Sequence, residues 1–124
     1  MPMAVESQPI QPYELGKRIL AAESVDELFS IFARHGGLYS GINVSATWTR
    51  LAKLTRGPTL SLDEKLLTLA LHSKSMVERG ELNARALANV AYAVARCTGK
   101  ARLYTTPLFS AIADASTPQA YAFK

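Results

Sequence analysis

Apolar residues recur every three or four positions along almost the whole chain, and capping residues and glycines divide the pattern into short segments. Leu15, Ile19 and Ala22 show this spacing in the first segment. The period matches the 3.6 residues of a helical turn, whereas a half-buried strand alternates with a period of two. No stretch of the sequence alternates in that way. The sequence therefore predicts an all-α fold.

Capping residues predict where the helices begin and end. Ser24 and Glu27 form a capping box, in which the serine hydroxyl and the carboxylate satisfy free amide groups at the helix start. Ser61 and Glu64 repeat this spacing. The remaining predicted N-caps are Asn43, Asn83 and Thr106, and the predicted stops are Gly36-Gly37, Gly57-Pro58, Gly80 and Gly99. Glycine ends helices because it tolerates the left-handed turn that follows them. Six helices are expected.

The same spacing predicts which residues form the core. The later helices are expected to bury Val25, Leu28, Phe29, Phe32, Val44, Thr47 or Trp48, Leu51, Leu54, Leu66, Leu67, Ala70, Leu71, Val77, Leu87, Val90, Ala91, Val94, Leu108, Ala111, Ile112 and Ala115. Tyr92 lies beside apolar helical positions and is also interpreted as a core residue. Cys97, on an apolar helix, is interpreted as a small hydrophobic residue.

Two segments resemble each other at an offset of 43 residues: Val44–Leu54 aligns with Leu87–Cys97. Leu-Ala-Lys-Leu in the first is matched by Val-Ala-Arg-Cys in the second, and a glycine and an amphipathic helix follow each copy. Helix pairs of about forty residues are typical of α-solenoids. We expect a short α-solenoid of about two to three antiparallel helix pairs over residues 13–116. Residues 1–12 would form an extended N-terminal arm and residues 117–124 a C-terminal tail.

The segment Asn83–Gly99 resembles the first helix of the octotricopeptide repeat, and the segment Ile19–Leu54 resembles the opening of such arrays. The characteristic positions are filled by Asn89, Tyr92, Ala93, Ala95 and Arg96. The pattern is also similar to the helical repeats of FAST-kinase-domain and RAP-domain proteins. This resemblance implies an organellar RNA-associated α-solenoid, in a mitochondrion or alternatively a plastid. In some protists such repeats are built into mitochondrial ribosomes.

Positive charge is concentrated after residue 33. Residues 1–33 contain two basic and five acidic residues, whereas residues 34–124 contain twelve basic and five acidic ones. A basic excess of this kind favours a polyanionic partner. The candidate RNA-binding residues are Arg50, Lys53, Arg56, Arg85, Arg96, Lys100 and Arg102. Trp48, Tyr92 and Tyr104 are the aromatic residues nearest to them that offer a ring for stacking on a base.

The sequence offers little for catalysis, and we expect neither an enzyme nor a cofactor nor a metal site. His35 precedes two glycines at a helix end, where a cation suits the helix dipole. His72 is expected at the surface. The single cysteine excludes an internal disulfide and any multi-cysteine zinc site. No apolar run approaches the ~18 residues that span a bilayer, so membrane insertion is not expected.

The leading interpretation is a structural RNA-binding subunit of a large organellar ribonucleoprotein. The favoured host complex is a mitochondrial ribosome, and the favoured RNA is its rRNA. Two alternatives stay open: a trans-acting RNA maturation or translation factor, and a protein–protein adaptor of an organellar complex. Neighbouring proteins are expected to cover the apolar C-terminal end of the solenoid, because an uncapped end favours aggregation. Tyr121 and Phe123 are the candidate anchors there.

Overall fold

The structure is a computed structural model that describes residues 10–55, 64–98, 107–108 and 110–116. Its helices are α1 (Pro12–Ala21), α2 (Val25–His35), a 3-10 turn (Gly36–Leu38), α3 (Gly41–Thr55), α4 (Glu64–Glu78) and α5 (Ala84–Thr98). Residues 110–116 are also helical and form α6. No strand occurs within these described ranges, and the all-α prediction is confirmed. The caps and stops predicted at Gly57, Ser61, Gly99 and Thr106 lie outside the described residues.

Three of the predicted N-caps fall within the described residues, and two of these are confirmed. The Ser24 hydroxyl accepts a hydrogen bond from the Glu27 amide at 3.0 Å, as a capping box requires. The Asn83 side chain accepts one from the Ala86 amide at 2.8 Å. Helix α1 begins at Pro12, one residue before the predicted start of the solenoid at residue 13, and a missing amide hydrogen costs nothing in the first turn.

The N-cap predicted at Asn43 is wrong, because α3 begins at Gly41 and Ser40 precedes it as the cap. The Ser40 hydroxyl accepts a hydrogen bond from the Asn43 amide at 3.2 Å. The Asn43 side-chain oxygen accepts one from the Ser40 amide at 3.0 Å. Asn43 therefore fills the place that glutamate takes in an ordinary capping box.

The two described glycine stops work by different means. Gly80 adopts φ +75°, and the amides of Gly80 and Glu81 donate to the carbonyls of Val77 and Met76 at 3.0 Å each, which closes α4 in a Schellman motif. Gly36 instead keeps a right-handed conformation and continues into the 3-10 turn. A Cβ there would lie 2.8 Å from Cε1 of Phe32, so glycine is needed for space rather than for a left-handed turn.

Helices α1, α3 and α5 stack in one row and run in the same direction. Near one end, Gly16 of α1 faces the Asn43 side chain of α3, and at the other end Arg50 reaches the Ala22 carbonyl after α1. Among the described residues, the most extensive helix contact is between α3 and α5, whose first and last residues both lie 43 positions apart. Helices α1, α3 and α5 thus form a parallel row, as the equivalent helices of an α-solenoid do.

The predicted core residues are mostly buried, including Leu15, Ile19 and Ala22, which are fully inaccessible. Trp48 is also fully buried, and its indole nitrogen donates to the Ser73 hydroxyl at 2.9 Å, which joins α3 to α4. Leu71, with 55% of its surface exposed, is a clear exception, and Tyr92 is another. Within the described parts of the chain, no helix combines the length and the apolar character needed to cross a membrane.

Candidate nucleic-acid interface

The outward residues of α3 and α5 form a continuous surface, which we call the outer face. On each helix these residues follow the spacing i, i+4, i+7 and i+11; Ala46 and Thr49 are half-buried and the other six are exposed. The outer face consists of Ile42, Ala46, Thr49 and Lys53 on α3 and Arg85, Asn89, Tyr92 and Arg96 on α5. Each residue of one set is the 43-residue equivalent of a residue in the other. The repeat therefore places Lys53 and Arg96 at matching positions on neighbouring helices.

A shallow groove of about 220 Å³ separates the two helices on this face. We call it the outer groove. It is lined by Thr49, Ala52, Lys53, Asn89, Tyr92, Ala93 and Arg96. A wider open hollow adjoins it, lined in part by Arg50, Lys53 and Arg96. The outer groove is lined by basic, amide, hydroxyl and aromatic groups, whereas the polar groups of the hollow are basic. Among the described residues, neither lining includes a carboxylate.

Tyr92 stands on the outer face with 65% of its surface exposed, so its predicted core position is wrong. The Arg96 guanidinium lies over its ring at 5.6 Å from the centroid. That guanidinium also donates to the Tyr92 hydroxyl at 3.2 Å. The pair leaves an aromatic surface and a positive charge side by side in solvent, a combination that suits a base and its phosphate.

Charge differs sharply between the two rows of helices. Helices α3 and α5 contain four basic residues and no acidic one, whereas α2 and α4 contain three basic and four acidic residues. Cations on or next to α4 form ion pairs with carboxylates: Lys74 pairs with Glu78 at 2.9 Å, and Arg79 pairs with Glu81. In the part of the chain that the structure describes, no carboxylate pairs with a cation of α3 or α5.

The predicted RNA-binding residues divide into three groups. Lys53, Arg85 and Arg96 are exposed on the outer face. Arg50 is half-buried, and its Nε donates to the Ala22 carbonyl at 2.7 Å, so its guanidinium holds the end of α1 against α3. The residues that lie outside the described set are Arg56, Lys100, Arg102 and Tyr104, together with the predicted anchors Tyr121 and Phe123 and the side chain of Cys97.

A second exposed aromatic–cation pair lies on α1 and was missed in the sequence. Tyr13 is 75% exposed, and the Lys17 ammonium lies 5.1 Å from the centroid of its ring. The i, i+4 spacing of an aromatic residue and a cation was the available signal, and Tyr92 and Arg96 share it. Asn89 and Thr49, which line the outer groove, were also not singled out, because small polar residues on a helix carry no distinctive pattern.

His35 ends α2, as the sequence predicted, whereas His72 does not lie at the surface as expected. His72 is half-buried, and its ring packs edge-on against Phe32 at 5.2 Å between centroids. Burial, with a contribution from nearby Arg79, lowers the pKa of His72. Burial and the charges of Arg18 and Arg34 lower the pKa of His35 as well, so the cationic form expected at the end of α2 is disfavoured.

The same buried region contains Tyr39, whose ring lies 6.5 Å from His72. Burial raises the pKa of Tyr39 to about 12, with the Thr47 hydroxyl acting in the opposite direction. This aromatic cluster lies between α2 and α4 and is separate from the outer groove. Among the described residues, no group of three metal-binding side chains lies close enough to hold an ion.

No protein-family model matches the chain, and neither curated proteins nor solved structures show a significant similarity to it. The octotricopeptide resemblance therefore remains a prediction that rests on the residues quoted for it. The functional argument depends on the outer face itself.

Proposed function

We propose that this chain is a structural RNA-binding subunit of a large organellar ribonucleoprotein, with a mitochondrial ribosome as the leading host. The outer face holds RNA phosphates through Lys53, Arg85 and Arg96. The observation that carries the proposal is the absence of acidic residues from α3 and α5, which leaves the described cations of this face without a carboxylate partner. Cations in this arrangement release counterions from a polyanion and so favour its binding.

The organellar part of the proposal rests on the octotricopeptide resemblance around Asn89, Tyr92 and Arg96. The RNA part has independent physical support from the charge and the exposed ring. A surface that is basic and also carries an aromatic side chain suits nucleic acid better than it suits an acidic protein, because bases offer a flat face for stacking.

The direct test measures RNA binding by fluorescence anisotropy at several salt concentrations. The double variant Lys53→Glu, Arg96→Glu is expected to bind more weakly, and its salt dependence should be shallower by at least about 1.4 in the log–log slope, the equivalent of two lost phosphate contacts. The matched control is Lys65→Glu, Lys74→Glu on α4, which makes the same change in net charge away from the outer face. Equal losses in both variants would contradict the proposed surface.

The host complex is tested by sedimentation of the native protein from its source, with and without RNase. Co-migration with a large ribonucleoprotein that collapses after RNase treatment is the expected result. Co-migration that resists RNase would instead support a protein–protein adaptor. A light, free species that crosslinks to one transcript would support a trans-acting RNA factor.

A further inference from the structure

We propose that the open hollow beside the outer groove binds a phosphate monoester through Arg50, Lys53 and Arg96. We call it the basic hollow. A monoester phosphate stands at the end of a nucleic-acid strand or on a small molecule, whereas the phosphates within an RNA strand are diesters. The proposed ligand therefore differs in chemistry from the RNA backbone of the proposed function, and the site involves a residue, Arg50, that the proposed RNA contacts do not use.

The first observation is the lining of the basic hollow. Among the described residues that line it, Arg50, Lys53 and Arg96 are cations, and the other two are Ala52 and Leu54. No carboxylate is among them. The hollow is open and has a volume of about 650 Å³, so it has room for a phosphate together with the group esterified to it. The composition favours a compact anion with more than one negative charge.

The second observation is the state of the Arg50 side chain. It is half-buried, and its Nε donates to the Ala22 carbonyl at 2.7 Å. A guanidinium has five N–H donors, and the four on the terminal nitrogens of Arg50 have no acceptor among the described residues. The bond from Nε holds the guanidinium in place and leaves its forked end able to donate. A fixed guanidinium loses little freedom when it binds a phosphate through two parallel hydrogen bonds.

The third observation is the position of the other two cations. Lys53 and Arg96 reach the basic hollow from equivalent positions on α3 and α5. The Arg96 guanidinium is oriented by its hydrogen bond to the Tyr92 hydroxyl. The ends of α1, α3 and α5 each contribute roughly half a negative charge nearby, which offsets only about half of the three positive charges. A net positive potential therefore remains for an anion.

The number of cations favours a monoester over a diester. A phosphate monoester carries about −1.5 to −2 charge at neutral pH and presents three acceptor oxygens, so each of the three cations has an oxygen to bind. A diester has one negative charge and two free oxygens, and it leaves one cation without a partner. The carboxylate of an acidic peptide has the same shortfall, because it also offers two oxygens and one charge.

The test titrates the full chain with methyl phosphate, a monoester, and with dimethyl phosphate, a diester that differs from it by one methyl group. Amide NMR spectra at constant ionic strength measure both affinities. Methyl phosphate is expected to bind about 10-fold more tightly, the equivalent of one further hydrogen bond between charged groups. Equal affinities for the two esters, or no binding of methyl phosphate, would overturn the proposal.

Two matched variants test the position of the site. Lys53→Gln removes one exposed cation from the basic hollow and should weaken methyl phosphate binding by about 10-fold. Arg85→Gln removes the same charge from the same outer face, but Arg85 is not among the described residues that line the hollow, and its affinity should be unchanged. Equal losses in the two variants would overturn the proposed site, because they would show a response to overall charge alone.

Arg50→Lys tests the role of the fork. It keeps the positive charge but offers no pair of parallel donors, so the preference for methyl phosphate over dimethyl phosphate should shrink. Arg50 also holds the end of α1, and circular dichroism checks that the variant is folded. An unchanged preference in the folded variant would overturn the role of Arg50. The Lys53→Gln and Arg85→Gln pair tests the site even if Arg50→Lys fails to fold.

The source of the monoester is distinguished with two RNA strands of one sequence, which carry either a terminal phosphate or a terminal hydroxyl. Tighter binding of the phosphorylated strand, lost in Lys53→Gln, would support an RNA end as the ligand. Equal binding of the two strands together with binding of methyl phosphate would support a small phosphorylated molecule. Salt-dependent RNA binding without a preference for methyl phosphate would overturn only the basic hollow, whereas methyl phosphate binding without RNA binding would overturn only the proposed function.

Discussion

Helices α3 and α5 occupy equivalent places in the repeat and have the same length, yet they use their side chains differently. In α3, polar groups face inward: Trp48 bonds to Ser73 of α4, and Arg50 bonds to the end of α1. The equivalent positions of α5 hold Ala91 and Ala93. Polar side chains of α3 thus bond to neighbouring helices, whereas Arg85, Tyr92 and Arg96 of α5 are exposed to solvent.

The aromatic residues show this contrast most clearly. Trp48 and Tyr92 are separated by 44 residues rather than 43, and one position on a helix is a rotation of about 100°. That single step moves a ring from the core in α3 to the outer face in α5. Both helices therefore follow the same 43-residue repeat, but a shift of one residue decides whether the aromatic side chain lies in the core or on the outer face.

The largest expected difference between the two helices is in stability. Trp48→Ala should lower the free energy of unfolding by about 3–5 kcal/mol, because it leaves a cavity in the core and removes the indole N–H that donates to the Ser73 hydroxyl. Tyr92→Ala should change it by no more than about 0.5 kcal/mol, as at other exposed sites. Urea unfolding followed by far-ultraviolet circular dichroism measures both. Similar losses in the two variants would contradict the contrast between α3 and α5.

Gly41 distinguishes the starts of the two helices, because its equivalent in α5 is Ala84. A Cβ at Gly41 would collide with the Glu81 carbonyl group and lie 3.3 Å from the Leu82 Cα. Backbone has little freedom to move away, so Gly41→Ala should cost about 1–3 kcal/mol. Gly16→Ala is the control: the nearest atom would lie 3.7 Å away, and the higher helix propensity of alanine should make this change neutral or stabilising. Thermal unfolding of both variants provides the comparison.

The N-terminal capping residues of α3 and α5 should differ less in their contributions to the free energy of unfolding. Asn83→Ala removes one hydrogen bond at an exposed helix start and should cost about 1 kcal/mol. Asn43→Ala should cost more, at about 1–3 kcal/mol, because Asn43 is buried and the Ser40 amide would lose its acceptor. Urea unfolding orders the two variants, and a larger loss for Asn83→Ala would show that the buried cap of α3 is not the stronger one.

The smallest effect concerns pH and acts on the other row of helices, since α3 and α5 contain no histidine. The folded state lowers the pKa of His72 below 6.5, so the unfolded chain binds a proton more readily. The contribution of neutral His72 to stability should therefore be fully present above pH 6.5. It should be lost as the pH falls from 6.5 through the pKa of the folded state. His72→Gln is expected to flatten this decline in thermal unfolding at a series of pH values. An unchanged slope would place the effect at His35 instead.

The helices and most of the core could be predicted from the sequence, because 3.6-residue spacing and capping residues are local signals. The serine at position 24 and the asparagine at position 83 act as local chemistry requires. Contacts between helices could not be predicted in this way. The role of Arg50 depends on the Ala22 carbonyl, 28 residues away. The need for glycine at position 41 depends on a backbone carbonyl from a later turn.

In the candidate site, too, the sequence identified individual residues but not the contacts between helices. The sequence identified Lys53, Arg85 and Arg96 as basic residues on one part of the chain, but only packing shows that Lys53 and Arg96 share a groove. The exposure of Tyr92 was beyond sequence analysis, because its neighbours in the chain are apolar and the helix rotation against α3 is set by the tertiary contacts.

The bond between Trp48 and Ser73 gives the protein an internal optical reporter. Trp48 is the only tryptophan of the chain, and it lies on the side of α3 that faces α4, away from the outer groove. Its emission should shift to longer wavelength when water enters between α3 and α4, and it should stay constant while a ligand occupies the opposite side. Native fluorescence therefore distinguishes loss of the fold from occupation of the surface, without any label on the protein.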